Sequence, residues 1–564
     1  IYKSEFNIFY EYFSSLNNNN KIGTVTENKL LLNLTSLSIG FFTYIFIFGP
    51  DFLLGKTTFF YNFDHPLFLT GYLAFINDTW HFPVAVTDNI YPNDNFSIVW
   101  TDSIPIFSII LKIIYTLIGI KLINPFPLWY LLCFLLFSFY VGKTLQLKID
   151  NYFFYILGIA ILTNTPLMVN RMIFHSALSA HWLVVAGIYY YLLNRQNKDK
   201  HLNSHAVNTG ISLFIHPYIF TIVFPIYFVS LIYAISNKSF KNIFKSILVF
   251  SSLIVVYIFG ILTNFSQGVF KRPDYVKYRA EFNSFFCGEQ PIEIIDKYLW
   301  CYPPYTQIHH EGYGYLGIGI IFLMALLIIQ PKKIVKSFRE NYFMLLVLIA
   351  MVLYSFGNKW KIAHVQIFEF EPINLHKELL YIFRSTGRYT WAFYYFLCFF
   401  VLIKLLKINN KSVAGVLLLV ATIFQINESI NIYPGKSGWF QLNEPPIDQL
   451  SISKKIINND LDKILHVLPD ERCASMPQAD HYIIALEFLN AGGTVQSTRT
   501  SRLLLNFDFC DNYSVNKSLN FYDPYHFVIA DIQKVENNVL KNYKCENINS
   551  YIHSDSNPAY CKKN

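Results

Sequence analysis

Stretches of about 20 predominantly apolar residues recur along this chain, and one such stretch crosses the hydrocarbon core of a bilayer as a helix. They fall at 31–49, 152–169, 181–193, 207–235, 246–263, 313–330, 342–356, 389–406 and 412–426. The run at 207–235 reads as a broken hairpin, and two further runs, 104–120 and 127–145, lie close together. Of 564 residues, 53% are hydrophobic and 15% charged, against about 25% charged in a soluble domain. Too few polar side chains remain to cover a globular surface. That excludes a soluble enzyme, a disordered chain and a secreted disulfide-stapled scaffold. The expected fold is mostly α, a polytopic transmembrane helical bundle of about 11 spans with a small C-terminal α/β domain.

Orientation follows from Lys and Arg. The loops 194–201, 237–245, 331–341 and 404–411 are short and basic, which places them on the cytoplasmic side. The long polar segments 50–103, 264–312, 357–388 and 427–564 then share the outer side. Residues 1–30 form a cytoplasmic or interfacial N-terminus, 31–426 the membrane domain, and 427–564 the outer α/β domain. Placing Lys143 and Lys148 inside and Arg171 outside allows one crossing between residues 104 and 145, so one of those two runs lies along the interface or re-enters. The net charge of +8 is spread over such loops and calls for no nucleic acid partner.

The cysteines agree with this orientation. Cys287 and Cys301 share one outer loop, and Cys473, Cys510, Cys545 and Cys561 fall in the polar tail. An even number on the outer side suggests disulfides in an oxidising compartment. Cys287–Cys301, Cys473–Cys510 and Cys545–Cys561 are the candidate pairs, although four cysteines alone allow three connectivities. Cys133 and Cys398 lie in apolar runs and read as buried thiols. No CxxC or CxxH spacing marks a metal site. In the tail, 464–468 and 526–530 read as strands, 479–490 as a helix ended by Gly492-Gly493, and 494–498 as a further strand.

The chemistry concentrates in the first outer loop, which holds Asp64-His65-Pro66, Asp78, Asp88, Asp94 and Thr101-Asp102-Ser103 among the aromatics Trp80, Phe82, Tyr91 and Trp100. Rings beside carboxylates suit sugars, whose apolar faces stack on them. Taken one Asp at a time, the plainer account is a solvated loop with interfacial aromatic anchors. Arg384 and Arg388 stand four apart, on one face if that stretch is helical. They lie on the side where the positive-inside rule does not place them, so they are either a snorkelling pair or a phosphate clamp. Arg171 and His175 repeat this spacing, with His181 one to two turns on. His216-Pro217 interrupts an apolar stretch, where a polar residue is either functional or caps a helix break. Glu311 follows His309 and His310, but adjacent histidines cannot share a helix face, which argues against a metal there.

Six blocks in order, FDHPLFLTGYLAFINDTWHFP (63–83), IVWTDSIPIFSIILK (98–112), NRMIFHSALSAHWLVVAGIYYYLLNR (170–195), FIHPYIF (214–220), EGYGYLGIG (311–319) and IFRSTGRYTWAFYYF (382–396), resemble a bacterial family of the GT-C class of membrane glycosyltransferases. That family is similar in turn to the prophage-type glucosyltransferases that decorate the O-antigen of lipopolysaccharide. The resemblance implies an inverting transferase on the periplasmic face of the bacterial inner membrane. It would take a single sugar from an undecaprenyl-phosphate donor to a hydroxyl of a cell-surface glycan such as lipopolysaccharide O-antigen, and work beside a lipid-sugar synthase and a flippase. A lipid donor needs no nucleotide-binding motif, and no GxGxxG or P-loop occurs. Under the resemblance Asp64 takes the position of the catalytic base, with Asp102 and Asp88 as reserves. Arg384, Arg388, Arg171 and His175 would meet the donor phosphate, and His65, Trp80, Trp100, His181, His216 and Glu311 the sugar or acceptor. A divalent cation stays open, with no ligand set to name. The other readings are a transporter or flippase for a lipid-linked glycan, and a polymerase or ligase acting on whole O-antigen chains.

Overall fold

The computed structural model describes residues 29–54, 64–262 (except 93–94 and 197–198), 278–287, 310–328 and 341–432 (except 363–364, 407 and 409). In the tail it describes 454, 456–458, 460–468, 479–496, 516, 519, 524–529, 532–547 and 559–564. The N-terminal segment to residue 28, Asp94, Cys301, Cys473 and Cys510 lie outside the described residues.

The membrane part is a helical bundle. In chain order its helices are α1 (Lys29–Phe48), α2 (His65–Asn77), α3 (Pro105–Ile118), α4 (Phe126–Gln146), α5 (Tyr152–Thr163), α6 (Pro166–Phe174), α7 (Trp182–Gln196), α8 (Leu202–Ile215), α9 (Pro217–Ser236), α10 (Phe240–Gly260), α11 (Ile318–Ile328), α12 (Tyr342–Ser355), α13 (Thr390–Leu405) and α14 (Lys411–Ile432). Among the described residues seven helices are long and apolar enough to cross a membrane, counting α7 from Ser176 and α13 from Thr386 with the 3₁₀ turns that precede them, and the bent pair α5–α6, taken as one span, makes an eighth. The expected 11 is reached only by adding the shorter apolar helices α3, α11 and α12. Of the two closely spaced runs, α4 has full spanning length and α3, with 14 residues, falls short of it.

Small residues let the first spans approach closely. Ser36 and Gly40 on α1 face Ser138 and Gly142 on α4, each pair one helical turn apart. A Cβ on Gly40 would lie 2.2 Å from the Ser138 hydroxyl, and one on Gly142 2.2 Å from that of Ser36. In lipid, where apolar surface alone does not drive helices together, such contact supplies the packing energy. The apparent single run at 152–169 is broken: α5 and α6 meet at 41° around Asn164 and Thr165. Pro166 starts the second helix, and the freed Asn164 carbonyl accepts from Ser429 Oγ at 2.8 Å on α14. A backbone group exposed by a kink inside the bundle is thereby paired again. The run at 207–235 is likewise broken, at His216 between α8 and α9.

Among the described residues the strands form two antiparallel pairs, β1 (Val86–Thr87) with β2 (Phe96–Ser97) and β3 (Lys359–Ile362) with β4 (Val365–Glu369), and a five-stranded mixed sheet at the C-terminus, in the order β6 (Thr494–Val495), β5 (Ile464–Leu468), β7 (His526–Ile529), β9 (Ala559–Lys563), β8 (Tyr543–Asn547). The helix α15 (Ala479–Asn490) connects β5 to the parallel β6. Cys545 and Cys561 face each other across β8 and β9 and form a disulfide. Cys287 is also disulfide-bonded, while Cys133 and Cys398 are buried free thiols. The α/β unit is fastened to the first loop. Val495 donates to the Asn89 carbonyl at 2.9 Å and accepts from the Tyr91 N–H at 3.1 Å. Asn77 and Lys121 reach the last carbonyls of α15 at 2.7 and 2.6 Å. One continuous apolar core runs from α1 into this sheet.

Candidate functional site: a buried ionic cluster at the helix ends

Two left-handed residues aim the central carboxylate. Asp102 and Ile104 both have φ 52°, on either side of Ser103. Such a backbone is rare for Asp and costly for a β-branched residue. It turns the chain sharply from the short helix Ile98–Thr101 into α3. The Ser103 hydroxyl holds the turn, donating to the Phe68 carbonyl at 2.7 Å on α2.

The carboxylate so placed meets two histidines. Its oxygens lie 3.4 Å from His175 Nε2, at the end of α6, and 3.5 Å from His216 Nε2, at the α8–α9 break. The three side chains expose only 11%, 9% and 7% of their surface, respectively for Asp102, His175 and His216. Burial pushes the Asp102 carboxyl up, but the adjoining His216 and His175 outweigh burial and hold it well below the usual carboxylate range. The His175 ring also packs on Phe68, 4.6 Å between centroids. His65, at the start of α2, has Nδ1 3.0 Å from the hydroxyl of Ser176, the neighbour of His175. Asp64 is the half-buried residue preceding it, at the N-cap of α2.

Beside this triad lies an ion trio. Arg388 grips Glu311 with both ends of its fork, Nε to Oε2 at 2.6 Å and an outer nitrogen to Oε1 at 2.7 Å. Arg171, fully buried, donates to Glu311 Oε2 at 3.0 Å and to Asn170 at 3.1 Å. The Arg388 guanidinium rests 4.2 Å from the Tyr218 ring centroid. Burial raises the Glu311 carboxyl, and the two arginines override it, holding it far below the usual range. Two cations share one carboxylate, and Glu311 keeps 21% of its side chain exposed. Triad and trio share one electrostatic environment, because His175 acts on Glu311 and Asp102 on Arg388.

Backbone contact brings the trio together. Gly387, one residue before Arg388, packs so closely on the Glu311–Gly312 turn that a Cβ there would lie 2.5 Å from Gly312 Cα and 2.8 Å from the Glu311 carbonyl oxygen. Gly387→Ala is therefore expected to force these two segments apart and lower stability by about 1–3 kcal/mol. Thermal unfolding in detergent measures this, and an unchanged midpoint would show that the turn yields freely.

Of the residues singled out in the sequence, Asp102, His175, His216, Arg171, Arg388 and Glu311 converge here, with His65 and Asp64 beside them. Trp100 is buried in the turn just before Asp102. His181 lies behind the trio, its ring 4.4 Å from that of Trp391, and its Nδ1 2.6 Å from the Tyr395 hydroxyl. Two residues stand apart. Asp88 and Trp80 are at the far end of α2, where Asp88 lies 3.8 Å from His81 and Trp80 lies over the Lys112 ammonium. Arg384 does not share a helix face with Arg388. The helix Asn374–Ile382 ends before it, and Arg388 belongs to a separate short 3₁₀ turn, Thr386–Tyr389. The Arg384 guanidinium lies over the Tyr278 ring at 5.2 Å. Tyr218, Ser176, Asn170 and Trp391 complete the site. They carry no charge signal in the sequence, although each lies inside one of the blocks quoted above.

The ring nitrogens and carboxylate of Asp102, His175 and His216 lie within 4.8 Å of one another, a spacing that could hold a metal ion. The hydrogen bonding of His216 does not fit that role. Its Nδ1 accepts the Tyr218 backbone N–H at 3.0 Å, so the neutral ring carries its proton on Nε2, the atom facing Asp102. A histidine ligand needs the opposite arrangement, a lone pair at the metal and the other nitrogen donating. The cluster fits a hydrogen-bonded His–Asp–His group.

Long apolar helices enclosing a charged cluster at their ends define a multi-pass helical membrane protein with a buried ionic site. The chain belongs to the family described as domain of unknown function DUF6311, whose sequence model matches residues 37–429. That range takes in every residue of the cluster. Comparison with curated proteins returned no match. Among solved structures, the mycobacterial arabinofuranosyltransferase AftD, determined by cryo-electron microscopy, aligns with a TM-score of 0.47 and 10% identity, over 88% of this chain. The chain spans 39% of the length of that protein.

Proposed function

We propose that this protein is an inverting membrane glycosyltransferase. In this reading it moves one sugar from a polyprenyl-phosphate donor to a hydroxyl of a cell-surface glycan, such as lipopolysaccharide O-antigen, on the periplasmic face of the inner membrane. The observation that carries the proposal is a buried cluster that sets Arg171 and Arg388 beside an ionised aspartate, within blocks that resemble the GT-C transferases. Departure of a lipid phosphate builds negative charge, and fixed cations close by lower that barrier. The acceptor oxygen forms its bond to the anomeric carbon as the bond from that carbon to the phosphate oxygen breaks. The hydroxyl proton passes to a carboxylate, and polyprenyl phosphate leaves.

Asp64 is the carboxylate assigned to the proton. Asp102 is committed to two imidazoles and held ionised well below the usual range, which makes it a weak proton acceptor. Its part is to orient His175 at the donor phosphate, with His216 holding the carboxylate in place. The C-terminal α/β unit, tied to the first loop through Val495, is assigned to the acceptor glycan. The test is a transfer assay with purified protein in detergent, using polyprenyl-phosphate sugar and isolated O-antigen. Transfer is expected without sealed compartments. Movement of the lipid-linked sugar only between the faces of reconstituted vesicles, with no product in detergent, would replace this reading with a flippase.

A further inference from the structure

The short helix α3 begins just after the Asp102 turn and carries an apolar stripe on its surface. Ile110, Ile113, Ile114, Leu117 and Ile118 recur at helical spacing and are all exposed, Leu117 by 76%. Five large aliphatic side chains on one face go beyond the scattered apolar residues of an ordinary surface. The other face packs inward. The Phe107 ring lies 5.1 Å from that of Trp129, and Ile106 and Ile109 join an apolar cluster with Phe214 of α8 and with Tyr257 and Ile261 at the end of α10. Lys112, the only charged residue of α3, turns away from the stripe. Its ammonium donates to the Thr79 carbonyl at 2.9 Å and lies 4.1 and 4.7 Å from the ring centroids of Phe75 and Trp80. Both ends of the helix are tied to one side of the bundle. Its start is held to α2 through Ser103, and just past its end Lys121 reaches the Asn490 carbonyl of the α/β unit at 2.6 Å. A 14-residue helix tethered in this way does not cross a bilayer. Its neighbour α10 does have spanning length. The last turns of α10 expose Val255, Val256 and Phe259 and end at the first loop, where the Val84 N–H donates to the Gly260 carbonyl at 2.8 Å.

We infer that α3 lies in the plane of the membrane, its apolar stripe docked on the acyl chains of the leaflet on the side of the Asp102 cluster. Continuity with α10 names the occupant. The exposed side chains at the end of a spanning helix face lipid, and α3 packs against that same end through Ile106 and Ile109. An in-plane helix seats its apolar face roughly 5–10 Å into the boundary between head groups and chains. Trp80 and Phe82, both exposed, mark that boundary, and the Trp80 indole nitrogen lies 3.4 Å from Thr116 Oγ1 on α3. Aromatic side chains collect at this level of a bilayer. Seated there, α3 anchors the turn that aims Asp102, and the ionic cluster stands at the rim of the bilayer, within reach of lipid head groups. The inference concerns the bilayer alone and stands or falls independently of the glycosyltransferase reading.

The experiment uses the full chain in phosphatidylethanolamine–phosphatidylglycerol nanodiscs, with a nitroxide attached at Ile110→Cys, Ile114→Cys or Leu117→Cys. These side chains are exposed, so labelling them leaves the packed face of α3 intact. Leu248→Cys, on the exposed face of α10 near its middle, serves as the deep reference, and the unmodified chain labelled in parallel gives the background from native thiols. Collision with oxygen, which enters lipid, is compared with collision with a water-soluble nickel chelate, and the ratio reports depth. All three labels on α3 are expected to favour oxygen, to lie shallower than the label at position 248, and to share one depth. A helix running along the bilayer normal would instead separate positions 110 and 117 by about 10 Å. Free access of the chelate to the stripe would put it in water and overturn the inference. Protection from both reagents would overturn it in favour of a protein cover such as a second copy of this chain, and graded depth in favour of a re-entrant helix.

Discussion

Asp64→Asn is expected to reduce sugar transfer by about 10²–10⁴-fold, the usual contribution of a positioned general base, with expression, membrane insertion and thermal unfolding unchanged. The separation of activity from stability follows from the local structure. Asp64 is the N-cap residue of α2, its side chain makes no capping hydrogen bond to the helix, and Asn serves that position equally well. Asp102→Asn provides the contrast. It removes the carboxylate from between His175 and His216, so activity and stability should fall together. Full transfer by Asp64→Asn, with loss confined to Asp102→Asn, would transfer the base role to Asp102.

Glu311→Gln is expected to destabilise the protein by roughly 3 kcal/mol, near the lower end of the range for breaking one side of a buried ion pair. Glu311 keeps a fifth of its side chain exposed, which tempers the loss. Its removal leaves Arg171 and Arg388 facing each other across a neutral amide, two buried like charges with one partner gone. Arg388→Lys retains the charge but loses the two-point grip on Oε1 and Oε2, so a smaller loss is expected. Unfolding of the detergent-solubilised protein measures both. A cost below about 1 kcal/mol for Glu311→Gln, the value of an exposed pair, would show that the trio is solvated and its charges are not held in a fixed array.

The helices were legible because bilayer physics writes them plainly. A lipid-facing span needs one long apolar run, and the runs at 127–145, 246–263 and 412–426 each became a helix of at least 20 residues. Where polar residues cut a run, the sequence marked the place with less certainty about the outcome. His216-Pro217 did break its run, and His216 turned out both to cap α9 and to face Asp102. The break at Asn164-Thr165 was hidden inside an apolar window, because the groups that repair it, Gln425 and Ser429, lie more than 260 positions away. In the tail, the strand at 464–468 and the helix at 479–490 came from local pattern, whereas β8 and β9 are defined by pairing with each other and with β7.

The sequence by itself determined the class of molecule, the positions of most helices and the short list of polar residues worth attention, since each of these depends on residues near one another in the chain. Only the tertiary structure decided how that list divides. Asp102, His175 and His216 are drawn together from positions 102 to 216, and Arg171, Glu311 and Arg388 from 171 to 388. Asp88 and Trp80 are left at the other end of α2, and Arg384 lies between the end of one helix and the 3₁₀ turn that carries Arg388, on no shared helix face with it. The physical reason is that a buried charge is tolerable only with a partner at contact distance. Which partner that is depends on how the helices cross, and the spacing of residues along the chain does not contain it.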